Sequence, residues 1–159
     1  MTPREPVDAQ AHPRRFRGES VGRALDLVGE RWTLLILREA FFGVRRYAQF
    51  VRNLGIPRPT LSARLKTLVE TGLFTKVAYA AEPDRFEYRL TQAGRELFPA
   101  IVVLMHWGDR YVPHPDGPPV VLAHNDCGQP ADVYLACRHC GGEVGTHSVT
   151  AHPGPGSAD

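Results

Sequence analysis

Apolar positions recur along this chain with the period of a helix over most of its length and with the period of a strand near its middle. Val21, Ala24, Leu25 and Val28 fall at i, i+3, i+4 and i+7, one face of a helix whose first turn Ser20 is expected to cap. The run from Trp32 to Phe42 is apolar on nearly every side, which a helix tolerates only when most of it is buried, so it is the predicted central helix. Gly43 ends it, and Tyr47, Phe50, Val51 and Leu54 mark a third, short helix over 47–54. Pro57 and Pro59 fit only a helix entrance, so the next helix is predicted from about Arg58 to Thr71, where Gly72 stops it.

That fourth helix has two unlike faces. Leu61, Leu65 and Leu68 line one, while Pro59, Thr60, Ala63, Lys66 and Thr67 project from the other at about 100° per residue. A small, polar and cationic face can approach a base edge without obstruction, as a helix in the major groove must. Two β-rich runs follow, Leu73 to Ala80 and Arg85 to Leu90, joined by a turn over Ala81–Asp84 that contains Pro83. Thr91 is then expected to cap one long helix carrying Leu97, Ile101, Leu104 and Met105, with Trp107 and Tyr111 extending its apolar surface. Pro113 to Pro119 breaks the pattern.

The predicted organisation is a disordered basic arm over 1–17, a domain over 18–112, a linker over 113–122, a Cys/His-containing appendage over 123–150 and a disordered tail over 151–159. The fold class is mainly α with a small β-hairpin, an α+β arrangement.

Composition and charge sharpen this picture. With 159 residues, 43% of them apolar or aromatic, the chain has room for one ordinary domain and an appendage, which excludes two catalytic domains. The net charge of +2 hides an asymmetry: thirteen Lys and Arg stand against seven Asp and Glu from Arg23 to Arg95, net +6, whereas residues 96–159 carry two against seven, net −5. A cationic half joined to an acidic one is expected when only the first approaches a polyanion, and an unevenly charged solvated surface is the plainer alternative. No stretch reaches the roughly 20 apolar residues of a membrane span, and the start lacks the order of a signal peptide, so a cytoplasmic location is expected. No nucleophile stands with a base at a recognisable spacing, so no enzyme activity is expected.

Three helices, a helix with a clean outward face, a hairpin and a closing helix follow in the order of a winged helix-turn-helix. Ala24-Leu-Asp-Leu-Val-Gly-Glu-Arg-Trp-Thr-Leu-Leu-Ile-Leu37, Leu61-Ser-Ala-Arg-Leu-Lys66, Glu70-Thr-Gly-Leu73 and Tyr88-Arg-Leu-Thr-Gln-Ala-Gly94 stand in order and at separations by which residues 20 to 111 resemble the HxlR family of transcription regulators. The resemblance implies a sequence-specific DNA-binding regulator, a dimeric repressor of a nearby promoter, bound to double-stranded DNA at a pseudo-palindromic operator. Helices 47–54 and 58–71 would be the helix-turn-helix and the hairpin its wing.

Arg58, Thr60, Ala63 and Lys66 are then the candidates for base contact, while Arg45, Arg46, Lys76 and Arg85 are better placed for phosphate. Arg64 flanks the leucine stripe and suits a structural ion pair; Arg89 and Arg95 suit plain solvation. The homodimer interface would use the first and closing helices through Leu25, Leu97, Ile101, Leu104, Met105, Trp107 and Tyr111. Phe41, Phe42, Trp107 and Tyr111 motivate a small-molecule effector between the closing helices and the core, although such aromatics more often pack as plain dimer core. Glu19-Ser20 stands where many family members carry Cys-Pro, which excludes thiol sensing there, and Pro57 stands where a capping Ser is common.

Beyond the linker, His124-Asn-Asp-Cys127-Gly128 and Cys137-Arg-His-Cys140-Gly141 are two ligand-x-x-ligand-Gly units nine residues apart. They look like paired zinc knuckles, since this spacing lets two side chains reach one metal from a tight turn. His124, Cys127, Cys137 and Cys140 would hold one structural Zn2+ per chain in a zinc-ribbon-like appendage, with His147 and His152 as substitutes for His124 and His139 pointing away. A free dithiol or a Cys137–Cys140 disulfide is the alternative, and three cysteines fit a reducing compartment. A thiol- or metal-responsive redox protein therefore stands beside the regulator as a second reading. A winged-helix module that binds protein is a third, and it leaves the +6 region unexplained.

Overall fold

The computed structural model describes residues 19–78 and 85–156. In chain order these form α1 (Ser20–Val28), α2 (Arg31–Phe41), α3 (Tyr47–Leu54), α4 (Arg58–Glu70), β1 (Phe74–Ala78), β2 (Phe86–Leu90), α5 (Gln92–Arg95) and α6 (Phe98–Tyr111). This is the order of a winged helix-turn-helix. One compact unit covers Arg23–Pro113, and a second includes the segment from His114 onward. The expected arm over 1–17 and the hairpin turn at 81–84 lie outside the described residues. Among the described residues no helix is long and apolar enough to cross a membrane.

The core forms where apolar stripes of α2, α3 and α4 meet. Ile36 and Leu37 of α2, Phe50 of α3, Leu61, Leu65 and Leu68 of α4 and Phe74 of β1 are its largest fully buried side chains. Gly55 lets α3 turn directly into α4, because it takes the left-handed conformation (φ 61°) that a side chain resists. Ile56 fills the corner behind it, and Pro59 sits in the first turn of α4, where a missing N–H costs nothing. β1 and β2 pair antiparallel in the register Phe74↔Leu90, Lys76↔Tyr88 and Ala78↔Phe86.

Two expectations at helix ends need correction. Ser20 is the first helical residue and not the cap of α1; the Glu19 carboxylate instead accepts from the main-chain N–H groups of Val21 (2.9 Å) and Gly22. A carboxylate meets the positive end of the helix with two acceptors, where a hydroxyl offers one site and no charge. The single closing helix after Thr91 is also two helices. Thr91 Oγ1 does accept from Gly94 N at 3.1 Å, but it caps only the four-residue α5, and α6 restarts at Phe98. Pro99 explains the break, because it cannot donate to the carbonyl one turn back.

Gly94 is held by packing. A Cβ there would stand 2.3 Å from the carbonyl oxygen of Leu73, which already accepts from Thr91 N at 3.0 Å and so is fixed in place. Helix propensity alone would make Gly94→Ala stabilising by about 1 kcal/mol. A backbone clash of this depth costs about 1–3 kcal/mol. Gly94→Ala should therefore lower the midpoint of urea unfolding, and a raised midpoint would show that the Leu73–Gly94 approach is not tight.

Candidate nucleic-acid interface

Three polar ties fix how α4 is carried. The Tyr47 hydroxyl, at the start of α3, donates to the carbonyl of Arg58 at 2.8 Å and lies 3.0 Å from Ser62 Oγ, joining the two helices across their turn. Asn53 Nδ2 donates to Glu39 Oε2 at 2.8 Å, tying α3 to α2. Arg64 Nε lies 3.2 Å from Glu30 Oε2, tying α4 to the α2 N-terminus, where the same carboxylate accepts from Thr33 N at 3.1 Å. Arg64 is thus the structural ion-pair partner its place beside the leucines suggested. Glu39 is buried within α2 and is matched there by Asn53 and by Arg38 Nη2 at 2.8 Å. Its role was missed; the available signal was a carboxylate within an otherwise apolar run, which has to find partners.

With the leucine stripe buried, the opposite face of α4 is presented outward. Arg58, Ala63 and Lys66 are exposed and Thr60 is half-buried, so the structure brings all four onto one helix. Lys66 Nζ lies 3.7 Å from Glu70, an exposed i,i+4 pair too weak to withdraw it from a stronger anion. Beside this helix the segment before α3 joins the wing: Tyr88 N donates to Arg45 O at 2.7 Å, and Arg46 bridges to Glu87. An open cleft of about 440 Å³ results, lined by Arg46, Lys76 and Arg85 together with Tyr47, Phe86 and Tyr88. Lys76 Nζ stands 3.9 Å from the centroid of the Phe86 ring, which holds its stem along the hairpin. Three of the four phosphate candidates therefore line one concave basic surface, and Arg45 adjoins it.

Glu87 organises that surface. Its carboxylate receives Arg89 through Nη2 at 2.9 Å and Nε at 3.2 Å, and Arg46 Nε lies 3.5 Å from its other oxygen. Hydrogen bonding and charge from Arg89, and then from Arg46, hold the carboxyl below its ordinary value, outweighing the burial that pushes it up. Arg89 is thus not simply solvated, and neither is Arg95, whose Nη1 donates to Leu90 O at 2.8 Å.

The seven residues expected at a dimer interface divide. Leu25, Leu104, Trp107 and Tyr111 are exposed, and Met105 is half-buried. Ile101 is only 6% exposed and Leu97 packs against the core, so these two serve their own protomer. They share the inner side because they stand four residues apart, joined by the Ile101 N–H donating to Leu97 O at 3.2 Å. The four aromatics expected around an effector do not gather at one place: Phe41 meets Phe98 edge-on at 5.2 Å, Trp107 meets Tyr111 at 5.5 Å, and Phe42 is exposed.

In the C-terminal unit the candidate ligands come together in twos. Cys127 Sγ lies 3.4 Å from His124 Nδ1. Cys137 Sγ receives the main-chain N–H groups of Cys140 and His139 and the Cys140 thiol, which hold its own thiol below the ordinary range. All three cysteines are free thiols. Among the described residues no three His, Cys, Asp or Glu side chains gather as one metal-ligand group.

Residues 27–116 match the HxlR-like helix-turn-helix family. An uncharacterized HTH-type transcriptional regulator of Mycobacterium tuberculosis (strain H37Rv) is 68% identical over 142 residues, which span 89% of this chain and 90% of that protein. Among solved structures, PA1607, described as a candidate transcription factor, is 35% identical, superimposes with a TM-score of 0.74 and covers 87% of this chain and 96% of its own. The reduced redox regulator HypR is 29% identical with a TM-score of 0.53, covering 58% of this chain and 94% of its own. An alignment of 142 residues is longer than the whole chain up to residue 116, so the mycobacterial likeness continues into the cysteine-bearing segment.

The clamp on Glu87 gives a pH dependence of definite sign. Its folded pKa lies below the ordinary 4.5, so the clamp stabilises fully above that value and is lost as pH falls through the folded pKa. Glu87→Gln should be less stable than the parent chain at neutral pH, with the difference in thermal midpoint shrinking as pH falls below 4.5. A difference that stays constant down to acid pH would rule the clamp out as its source.

Proposed function

The chain belongs to the HxlR-like helix-turn-helix family, and from that premise we propose that it is a homodimeric repressor whose α4 reads the major groove of a pseudo-palindromic operator. The observation that carries this reading is the outward face of α4, with Arg58, Ala63 and Lys66 exposed next to the basic cleft of Arg46, Lys76 and Arg85. Arg58 and Lys66 have the reach for base edges, Thr60 and Ala63 leave room for close approach, and the wing and Arg45 hold phosphates that set register. The second copy of the chain is the natural cover for α6. Trp107 is 54% exposed and lies beside Leu104 and Tyr111 on a surface that a lone protomer leaves in water. A twofold pair of recognition helices would sit about one DNA turn apart, which accounts for the palindrome.

Thiol chemistry of the kind suggested by the likeness to the redox regulator HypR has no thiol to act on between Arg23 and Pro113, since the three cysteines all lie further on. A protein-binding winged helix would use the same fold with little dependence on salt. DNA binding measured by fluorescence anisotropy on the intergenic DNA upstream of the gene should weaken linearly in log affinity against log salt. Arg58→Ala should cost about 1–3 kcal/mol and relax preference at one base position, whereas Lys76→Ala should weaken all sequences alike and flatten the salt slope by about one unit. Affinity indifferent to salt and to both substitutions would favour the protein-binding alternative. Trp107→Glu should turn dimers into monomers by analytical ultracentrifugation and lose tight operator binding with them; a dimer that survives it would move the interface off α6.

A further inference from the structure

The segment from Leu122 to Val144 contains one small fold twice. In the first copy His124 N donates to Gln129 O (2.8 Å), Gly128 N to His124 O (2.7 Å) and Ala131 N to Leu122 O (2.7 Å), around an Ala123↔Pro130 bridge. In the second, thirteen residues on, Cys137 N donates to Gly142 O (2.8 Å), Gly141 N to Cys137 O (2.7 Å) and Val144 N to Leu135 O (2.8 Å), around an Ala136↔Glu143 bridge. The bonds correspond one to one. Gly128 and Gly141 take the same left-handed conformation, with φ of 70° and 73°. Each copy therefore closes a tight turn that presents its first and fourth side chains, His124 with Cys127 and Cys137 with Cys140, on one side.

The chemistry of these pairs is that of a metal knuckle. A tetrahedral Zn2+ with Zn–S of about 2.3 Å and Zn–N of about 2.0–2.1 Å holds its sulfur and nitrogen about 3.5 Å apart. Cys127 Sγ and His124 Nδ1 stand 3.4 Å apart, already one edge of such a tetrahedron. The far nitrogen of His124, Nε2, faces Asp126 Oδ2 at 3.8 Å, a carboxylate on the side that orients a ligating imidazole. In the second copy the main-chain N–H groups of His139 and Cys140 are directed at Cys137 Sγ, so the turn holds that sulfur beside Cys140. The segment also lacks another source of stability: none of the described residues from His114 to Gly156 is buried, and Leu135 is 56% exposed between the two turns. A fold this small without a core ordinarily needs a cross-link or a metal.

We propose that His124, Cys127, Cys137 and Cys140 bind one Zn2+, and that the ion draws the two preformed knuckles together into a single structural site. The pairs are separate as they stand, with no three candidate ligands gathered. The nine residues between Cys127 and Cys137 give the turns length enough to close on one ion. On binding, each of the three thiols gives up its proton to solvent as its S–Zn bond forms, and neutral His124 coordinates through Nδ1 with its remaining proton on Nε2. No oxidant or reductant takes part. The ion has four protein ligands and no open position, so it builds structure and does not activate a water molecule.

The test uses the full chain, purified under reducing conditions without chelator, equilibrated with excess zinc chloride and freed of unbound metal by gel filtration. Mass spectrometric metal analysis should find one zinc per chain, and X-ray absorption should show three sulfur neighbours and one nitrogen. His124→Ala, Cys127→Ser and Cys140→Ser should each lose most of the metal, while His139→Ala keeps it. The helical melting transition, which belongs to the other unit, should stay unchanged in all four variants and so shows that each chain is folded. Chelation should expose three reactive thiols. Zinc far below one per chain, retention of zinc by Cys127→Ser, equal loss in His139→Ala, or a single reactive thiol reporting a Cys137–Cys140 disulfide would each overturn the proposal.

Discussion

The face that α4 turns outward at the candidate interface follows from the burial of three leucines. Leu61, Leu65 and Leu68 sink one side of α4 against Ile36, Leu37 and Phe50, each with almost no surface left in water. Full burial of a leucine contributes about 1.5–3 kcal/mol. Turning α4 by one residue would move this stripe off the core and forfeit several times that amount, so the rotational setting of the helix is not negotiable. Because side chains advance by about 100° per residue, choosing the inward face also chooses the outward one. Arg58, Ala63 and Lys66 point away from the core for a reason that has nothing to do with DNA.

Burial sets rotation but leaves tilt loose, and the polar ties act on tilt. Tyr47 reaches the Arg58 carbonyl and Ser62, at the end of α4 that would enter a groove, while Arg64 reaches Glu30 from the middle of the helix. The Arg64–Glu30 pair is more than a third exposed and contributes little energy. Its value is directional: a weak contact far from the helix axis resists rocking better than a strong one close to it. The wing is governed differently, by charge. Two guanidinium groups share the single Glu87 carboxylate, so the root of the hairpin keeps a net positive charge after pairing, next to Lys76 and Arg85. Glu87 concentrates cations that would otherwise repel one another, and an excess of this kind is what attracts a phosphate backbone.

Much of this was legible in the sequence where a single period controlled the outcome. The bounds of α3 and the inward leucines of α4 follow directly from apolar spacing, with Gly55 and Pro59 as punctuation. The closing helix shows how that reasoning fails. Leu97 and Ile101 keep helical spacing across the break before Phe98, so the pattern looks continuous although Pro99 interrupts the hydrogen bonding. Side chains with two plausible fates were also ambiguous. Ser20 is the better N-cap by residue type, and only geometry shows that the Glu19 carboxylate takes the role. Arg89 could have been solvated until β2 placed it two residues from Glu87 on the same side of the strand. Long-range partners such as Glu39 with Asn53 leave no local trace, since what joins them is the packing of α2 on α3.

The two units are held together by different physics, and the charge asymmetry follows the same division. Arg23–Pro113 has a buried core, which grows in value with every apolar side chain added to it. Among the described residues from His114 onward none is buried, so adding apolar residues there would extend an exposed surface and gain little. Local hydrogen bonds alone are a poor substitute, because water competes for each of them. What such a segment can use is a bond whose strength does not depend on excluding water from a large volume, and a metal held by thiolates and an imidazole is one. The knuckles have the backbone that this requires and nothing that a core would require. Their surroundings are also the wrong sign for DNA, since residues 114–159 carry one Arg against five Asp and Glu, net −4. A surface of that sign repels phosphate, so the cationic residues of the helix-turn-helix and its wing are the ones suited to a DNA backbone.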